Sequence, residues 1–206
     1  RDEIQTQQKE ITSSIKYAKR IQEAILPKPR QISKFLPESF VLFMPKDIVS
    51  GDFYWFHRIG DKHIIIAVDC TGHGVPGAFM SIIGTYLLDN IIIQKEITDP
   101  DEILKSLNRK LKIALKAENI EMQTNDGMDL AICVIDQNQQ SLKFAAALRP
   151  LFLFSNNELQ EVKGDKIPIT SVIGLNSNVK FTSHEFDLNE NDTFYIFSDG
   201  IIDQFG

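Results

Sequence analysis

Three aspartates lie beside glycines at or near the ends of hydrophobic segments, a setting in which a carboxylate can hold an ion. They are Asp52, Asp69 and Asp199. Asp69 is followed by glycines at positions 72, 74 and 77, and glycine lets the backbone approach a bound cation or phosphate closely. A single acid of this kind is most often a turn residue. Three together favour a site for a hard divalent ion, Mg²⁺ or Mn²⁺, which prefers oxygen ligands.

Other catalytic chemistries have weaker support in the sequence. Zinc is disfavoured because the histidines, at positions 57, 63, 73 and 184, lack paired spacing and no cysteine pair supports them. There is no Walker A loop and no dinucleotide-binding glycine fingerprint, and Ser198 is not in a Gly-x-Ser-x-Gly elbow. His73 lies in the glycine loop, where it could donate a proton to a reacting group or only hydrogen-bond the backbone. The residues alone therefore predict an acidic metal site without naming a substrate.

The composition is acidic and carries little sign of a membrane or nucleic-acid protein. The 206 residues include 22 basic and 28 acidic side chains, a net charge of -6, which argues against general binding to nucleic acid or to an anionic membrane. The longest apolar runs are interrupted by Asp89-Asn90, so we expect no membrane insertion. The two cysteines, Cys70 and Cys133, form no disulfide framework, and we expect a cytoplasmic location. The chain begins at Arg1 inside a helical pattern, so we expect it to be part of a longer protein.

The first segment, residues 1–27, is predicted to be a linker helix that ends at Pro27. Apolar residues recur every seven positions, at Ile4, Ile11, Ala18 and Ile25. That spacing is typical of a coiled coil, although several neighbouring seam positions are polar. Two interpretations stay open: the helix packs on its own domain, or it is a signalling linker that forms a homodimer and connects to an upstream sensor domain. Residues 28–39 are predicted to be a connector and residues 40–206 the main domain.

The main domain is predicted to be α+β. Strands are expected at residues 40–44, 53–59 and 62–68, followed by a helix from Pro76 to about Gln94. A second helix is expected to start with Asp99 as N-cap and Glu102 completing a capping box. Six further strands are predicted without intervening helices, at residues 130–135, 142–147, 151–154, 159–162, 181–186 and 193–197. Successive strands of this kind indicate two antiparallel sheets packed face to face, with the helices outside.

Four motifs occur in order along the chain, at Val49–Tyr54, Asp69–Ala78, Gly127–Leu130 and Phe197–Asp203. Together they resemble the SpoIIE-type branch of the metal-dependent protein phosphatases, the protein phosphatase 2C (PPM) superfamily. Ordered agreement among several motifs is far more specific than any one of them, and the resemblance covers the main domain. The segment Tyr17–Pro27 also resembles the linker that precedes such domains. The resemblance implies an αββα sandwich, in which helices flank two antiparallel β-sheets and an N-terminal linker helix precedes them.

The resemblance also implies a binuclear Mn²⁺ or Mg²⁺ centre between the sheets. In it, Asp69 would bridge the two ions and the backbone carbonyl of Cys70 would bind one of them. Asp199 would hold one ion, and Asp52 would be a direct or water-mediated ligand. Asp203 matches an acid that holds a third ion in some relatives. Such a centre would activate water to hydrolyse phosphoserine or phosphothreonine on a signalling protein, with an anti-anti-sigma (STAS-like) domain as the suggested substrate.

Two departures from the family pattern bear on these expectations. Residues 145–150 read Ala-Ala-Ala-Leu-Arg-Pro where the family often has an Ala-Gly-Ala type segment, so substrate-groove contacts are not carried over there. The family also continues to another metal-binding acid, which we expect beyond Gly206, and a chain without it is expected to hold one metal or none. Lys46 could steer the phosphate, but an exposed loop lysine is the simpler interpretation. The alternative to an enzyme is a catalytically silent, phosphatase-like module that binds partners.

Overall fold

The structure, a computed structural model, describes residues 2–115, 126–172 and 179–201. Its first element is helix α1, Asp2–Ile25, which agrees with the helix predicted for the N-terminal segment. A short helix, α2, Pro29–Phe35, follows within the predicted connector. The ring of Phe35 lies 6.3 Å from that of Phe56 and 6.0 Å from that of His63. The connector therefore packs on the first strands of the main domain.

The described residues form nine strands in two antiparallel sheets. In chain order they are β1 Phe53–Ile59, β2 Lys62–Cys70, β3 Gly127–Asp136, β4 Ser141–Ala147, β5 Leu151–Ser155, β6 Glu158–Val162, β7 Ile169–Thr170, β8 His184–Asp187 and β9 Thr193–Tyr195. The larger sheet has the order β1-β2-β3-β4-β8, with β7 paired to β3, and the smaller sheet has the order β6-β5-β9. The predicted α+β fold, with two antiparallel sheets and flanking helices behind an N-terminal helix, is confirmed.

Strand β3 is buried on both faces and shows how the layers are arranged. Its even-numbered residues from Met128 to Val134 belong to the core between the larger sheet and the helices. Its odd-numbered residues Ala131 and Cys133 belong to a second core, shared with Phe144 and Leu151, between the two sheets. Because successive side chains of a strand point to opposite faces, the odd-numbered positions of β3 face the smaller sheet.

Two helices cover the outer face of the larger sheet. Helix α3, Gly74–Leu88, starts two residues before the predicted Pro76 and continues as a π-helical segment, Asp89–Gln94. Helix α4 spans Pro100–Ala114 and buries Leu104, Leu107 and Leu111. The combined segment Gly74–Gln94, which includes the interrupting Asp89-Asn90, has the length and composition of a membrane span. More than half of its apolar stretch is buried within the protein, and that packing accounts for its composition.

The strand predicted at residues 40–44 is wrong. The segment alternates as a strand does, with Phe40, Leu42 and Met44 exposed and the residues between them partly buried. Within the described part of the chain, however, no neighbouring backbone pairs with it. Alternation decides which side chains turn inward, whereas a strand also requires a partner for its backbone groups.

The capping box predicted at the start of α4 is also wrong. Asp99 is the N-cap residue as expected, but its side chain makes no capping hydrogen bond. Its carboxylate instead lies 3.3 Å from the Lys143 ammonium, and Glu102 lies 3.1 Å from the ammonium of Lys105. Both acids of the predicted box therefore pair with lysines instead of the helix backbone.

Candidate metal centre

The register of the larger sheet brings three aspartates into one row. Asp69 of β2 lies directly opposite Asp129 of β3. Phe53 pairs with Val68 at the start of β1, so the same register places Asp52 opposite Asp69. Directly opposed residues have Cβ atoms about 4.5–5.5 Å apart. The three acids therefore gather at one end of the larger sheet, on the face turned toward the smaller sheet.

A fourth acid, Asp199, comes from the segment that follows β9 of the smaller sheet. It begins the short 3₁₀ turn Asp199–Ile201. The hydroxyl of the preceding residue, Ser198, donates a 2.6 Å hydrogen bond to Asp52 Oδ2, across 146 positions of sequence. The two sheets thus contribute side chains to a single acidic cluster.

A guanidinium group lies among these acids. The Nη2 atom of Arg149 donates to Asp69 Oδ2 at 2.6 Å and to Asp199 Oδ2 at 2.8 Å. The same atom lies 3.3 Å from Asp129 Oδ2. Only 15% of the Arg149 side chain is exposed. Since charge-assisted hydrogen bonds of this length are stronger than neutral ones, Arg149 ties acids of both sheets together.

The turn that carries Arg149 is fixed by its backbone neighbours. Leu148 has a φ of 66°, a left-handed conformation that a non-glycine residue adopts at a cost in free energy. Its amide donates to the carbonyl of Asp165 at 2.9 Å. A Cβ added to Gly164 would lie 2.7 Å from the carbonyl oxygen of Arg149, so only glycine fits beside the turn. The surroundings therefore hold the backbone of Arg149 in one position.

Burial and mutual repulsion raise the pKa values of Asp69 and Asp129. Burial, followed by the charge of Asp52, raises the pKa of Asp69 to about 7 against the opposing effect of Arg149. Burial likewise raises the pKa of Asp129, and the charge of Asp199 adds to it. Burial lowers the pKa of Arg149, but the hydrogen bond to Asp199 and the charges of the acids outweigh it, and the pKa is raised. One arginine offsets this negative charge only in part, so further cations would stabilise the cluster.

Glycines shape the loop beside the acids. A Cβ added to Gly51 would lie 2.6 Å from the carbonyl oxygen of Gly72 and 3.2 Å from that of Cys70. A Cβ added to Gly77 would lie 2.5 Å from the same Gly72 oxygen. A side chain at residue 51 would thus crowd the Cys70 carbonyl, the atom expected to bind an ion. The Cys70 thiol itself is buried, and burial holds its pKa well above the ordinary value.

The donor set fits Mg²⁺ or Mn²⁺, because it consists of carboxylate oxygens with a backbone carbonyl nearby. The predicted residues Asp52, Asp69 and Asp199 lie in this one cluster, whereas Asp203 lies outside the described residues. In the described ranges, no three acid, histidine or cysteine side chains surround a common point as ligands of an ion do. The oxygens of Asp69 and Asp199 instead meet the guanidinium nitrogen.

Two other predicted residues lie near the glycine loop. His73 is the N-cap residue of α3, and its ring Nδ1 lies 3.0 Å from Oδ2 of Asp47. This histidine therefore pairs with a carboxylate and not, as one interpretation held, with the backbone alone. Its side chain is 87% exposed, which leaves it open to solvent. Lys46 is exposed, in agreement with the simpler interpretation of a loop lysine.

Asp129 and Arg149 are not among the site residues predicted from sequence. Asp129 lies within the motif Gly127–Leu130, which carried the family resemblance but no assigned role. Arg149 lies in residues 145–150, where the chain departs from the family pattern. A signal was therefore present at both places, but only the strand register and the turn at Leu148 show that the two side chains meet.

Known proteins of similar sequence and structure match most of the chain. The sequence model of the family Stage II sporulation protein E (SpoIIE) matches residues 60–205. The SiaA-PP2C domain of Pseudomonas aeruginosa is 36% identical, with a TM-score of 0.83, and the match covers 96% of this chain and 75% of that one. Phosphoserine phosphatase RsbU of Bacillus subtilis (strain 168) is 24% identical over 196 residues, which are 94% of this chain. A structure of RsbX in complex with magnesium shares the fold, with a TM-score of 0.58 and 16% identity over 76% of this chain and 70% of that one.

The matches differ in how much of each relative they cover. The chain spans 55% of the length of RsbU. The family match, in contrast, takes in more than half of the chain: it begins directly after β1 and includes the whole of β2 to β9. It also includes three of the four acids of the cluster, Asp69, Asp129 and Asp199. The chain therefore belongs to the SpoIIE family and contains a phosphatase domain of the PP2C (PPM) type.

Proposed function

We propose that this chain is the catalytic domain of a metal-dependent phosphatase that hydrolyses phosphoserine or phosphothreonine on a signalling protein. The observation that carries the proposal is the row of Asp52, Asp69 and Asp129, joined by Asp199 from the other sheet. The similarity to the SiaA-PP2C domain and to RsbU, a phosphoserine phosphatase by name, supports the reaction. The magnesium in the RsbX structure supports a divalent ion, Mg²⁺ or Mn²⁺, in this fold.

Several residues of the cluster have a role in this proposal. Divalent ions, when bound, supply Lewis acidity toward the phosphate and a nucleophilic water at neutral pH. Asp69, in the middle of the row, would be a ligand of the ions, with the Cys70 carbonyl beside it. Asp199 would be a further ligand. The Ser198 hydroxyl orients the carboxylate of Asp52 through its hydrogen bond.

Water is the nucleophile that the side chains of the cluster favour. The Cys70 thiol is buried and its pKa is raised, so it is not prepared to attack phosphorus. The Ser198 hydroxyl donates a hydrogen bond to Asp52, a carboxylate that the proposal assigns to the metal centre. Attack by water forms the new phosphorus–oxygen bond as the serine or threonine oxygen leaves, and no covalent enzyme intermediate is formed. A phosphorylated STAS-like domain is the substrate that the family resemblance suggests.

The test is hydrolysis of a small aryl phosphate by the full-length protein. We expect turnover with Mn²⁺, loss of turnover with a chelator and recovery when Mn²⁺ is added back, because the carboxylates lack Lewis acidity of their own. A phosphoserine peptide serves as the second substrate. If neither substrate is hydrolysed although the protein is folded and binds Mn²⁺, the alternative of a catalytically silent module is correct.

We also propose that α1 joins two copies of the chain and connects the domain to an upstream sensor. Its C-terminal half is docked on its own domain, because Gln22 is buried and its amide nitrogen donates to the Ser50 carbonyl at 2.6 Å and to the Ser81 hydroxyl at 2.8 Å. Its N-terminal half is not, since Ile4 and Ile11 are 63% and 62% exposed. An exposed apolar stripe with seven-residue spacing fits the same stripe of a second copy.

Charge on that stripe should separate the copies. Replacement of Ile4 and Ile11 by Asp is expected to convert a dimer into a monomer, as measured by sedimentation, because two buried seam positions would carry like charges. Lys9→Asp, on the opposite side of the helix, is the control and should leave the mass unchanged. A wild-type protein that is already monomeric would instead support packing of α1 on its own domain alone.

A further inference from the structure

One terminal nitrogen of Arg149 lies where carboxylate oxygens from three parts of the fold converge. Nη2 contacts Asp69 on β2, Asp129 on β3 and Asp199 after β9, at 2.6, 3.3 and 2.8 Å. Carboxylate oxygens are the ligands that Mg²⁺ and Mn²⁺ prefer, so a divalent ion that bound these acids would compete with Nη2 for them. The guanidinium thus takes the place of a cation in the centre as it stands.

The contacts with the acids do not use every donor of the guanidinium. All three contacts are made by Nη2, and the buried Nε has no hydrogen-bond partner among residues 2–115, 126–172 and 179–201. Arginine presents its donors in a planar fork that matches the oxygens of a phosphate group. A side chain that serves only to tie carboxylates together would not leave a buried donor of that fork unpaired. The unpaired Nε points to a second ligand for Arg149.

Charge balance requires the guanidinium to move when cations enter. When all are ionised, the four carboxylates and the one arginine carry a formal charge of -3. Divalent cations would bind the oxygens of Asp69 and Asp199 that Nη2 now occupies, and they would repel a guanidinium beside them. Arginine cannot relieve this repulsion by losing its proton. Displacement of the side chain would relieve it.

The distance of that displacement is limited by the turn. The left-handed Leu148, the hydrogen bond to Asp165 and the tight fit of Gly164 fix the backbone on which Arg149 stands. Its side chain can therefore swing away from the carboxylates but remains beside the centre. We propose that Arg149 neutralises the carboxylates in the metal-free domain, is displaced from them by divalent cations, and then binds the phosphoryl oxygens of the substrate. The last step rests on the proposed function; the first two rest on the acidic cluster alone.

The first test measures competition for the carboxylates. Full-length wild-type protein and the variant Arg149→Ala are titrated with Mn²⁺ in a calorimeter. The variant should bind Mn²⁺ about tenfold more tightly, because it lacks both the competing donor and the nearby positive charge. Equal or weaker Mn²⁺ binding by the variant would overturn the proposal, since it would show that Arg149 organises the acids for the metal or has no influence on it.

The second test measures phosphate binding directly. Mn²⁺-saturated proteins are titrated with inorganic phosphate, and Arg149→Ala should bind it about tenfold more weakly than wild type. Equal phosphate affinity would overturn the proposal. Tighter Mn²⁺ binding combined with weaker phosphate binding is a pair of results that a purely structural salt bridge does not produce. The Mn²⁺ and phosphate affinities are measured without turnover. A wild-type protein that hydrolyses no phosphate ester would therefore contradict the proposed function but would not decide the role of Arg149.

Two further variants keep the result interpretable. Arg149→Lys retains the charge but lacks the planar fork, so it should weaken phosphate binding while Mn²⁺ affinity stays near the wild-type value. If Arg149→Ala fails to fold, as judged by circular dichroism, unchanged phosphate affinity in Arg149→Lys still overturns the proposal. Arg58 lies at the end of β1 far from Asp52 and pairs with Asp61 at 3.9 Å. Arg58→Ala is therefore the control, and it should change neither the Mn²⁺ affinity nor the phosphate affinity.

Discussion

Strands β2 and β3 each have an apolar middle and an acidic end, and the two regions have opposite energetics. The middle, from Ile64 to Val68 and from Leu130 to Val134, contributes the side chains of both cores. One residue beyond Val68 is Asp69, and one residue before Leu130 is Asp129. Burial of the middle removes apolar surface from water and stabilises the fold. At the end, burial and neighbouring charge raise the pKa of Asp69 to about 7, so ionisation there opposes folding.

The comparison shows that one ladder of backbone pairs serves both regions. The register that aligns Val68 with Leu130 also aligns Asp69 with Asp129. The close-packed middle of the two strands therefore holds Asp69 and Asp129 at the spacing of directly paired strand residues. A functional site held by rigid elements tolerates the repulsion it contains, because the neighbouring core offsets the cost.

The largest expected effects come from one substitution at the acidic end and one in the apolar core. Asp129→Asn keeps the shape of the side chain but removes a charge from the centre, so Mn²⁺-dependent hydrolysis should fall about a hundredfold or more. Leu107→Ala, at a fully buried position of α4, should lower the free energy of unfolding by about 2–5 kcal/mol. The measurements are aryl phosphate hydrolysis and denaturant unfolding, with activity expressed per folded molecule.

Two results would contradict the separate roles of the apolar middle and the acidic end. Wild-type turnover in Asp129→Asn would remove Asp129 from the centre, whatever its position in the sheet. A large loss of activity per folded molecule in Leu107→Ala would show that the core does more than support the strands. Either result would mean that the middle and the end of the strands are not distinct in function.

A smaller effect concerns stability without metal. The pKa of Asp69 is about 7 in the folded state, above its ordinary value of 3.8. The protonated side chain therefore stabilises the fold fully below pH 3.8, and this stabilisation is lost as the pH rises through 7. Asp69→Asn does not ionise, and at pH 8 its Tm should exceed that of the metal-free wild type by about 2–4 °C. The difference should shrink at pH 5. Calorimetric melting in the presence of a chelator measures it.

The control for this melting experiment is Glu185→Gln on the exposed side of β8, which should melt like the wild type at both pH values. A lower Tm for Asp69→Asn than for the wild type at pH 8 would contradict the account. It would mean that the pairing of Asp69 with Arg149 stabilises the metal-free fold by more than the burial of charge destabilises it.

The sequence contains enough information for the fold class and for three of the acids, and the reason is local. Asp52, Asp69 and Asp199 each stand where a hydrophobic segment meets a glycine, a pattern that is visible without knowing any pairing. The placement of Asp129 depends on the register between β2 and β3, and that of Arg149 depends on a turn with a left-handed Leu148. Neither feature leaves a periodic signal.

The strand predicted at residues 40–44 is the opposite case, because there the periodic signal is present and the partner is not. The pattern of Phe40, Leu42 and Met44 describes the two faces of an extended segment correctly. Strand formation depends in addition on the position of another backbone, which is a property of the whole fold. Periodicity therefore predicts faces more securely than it predicts sheets.

The most direct test of the metal centre is anomalous scattering from crystals of the full-length protein grown with Mn²⁺. The account predicts a manganese peak about 2.0–2.4 Å from a carboxylate oxygen of Asp69, with Asp129 and Asp199 around it. It also predicts that Arg149 no longer contacts these acids. Manganese bound elsewhere, with Arg149 Nη2 still between Asp69 and Asp199, would contradict the assignment of this cluster as the metal centre.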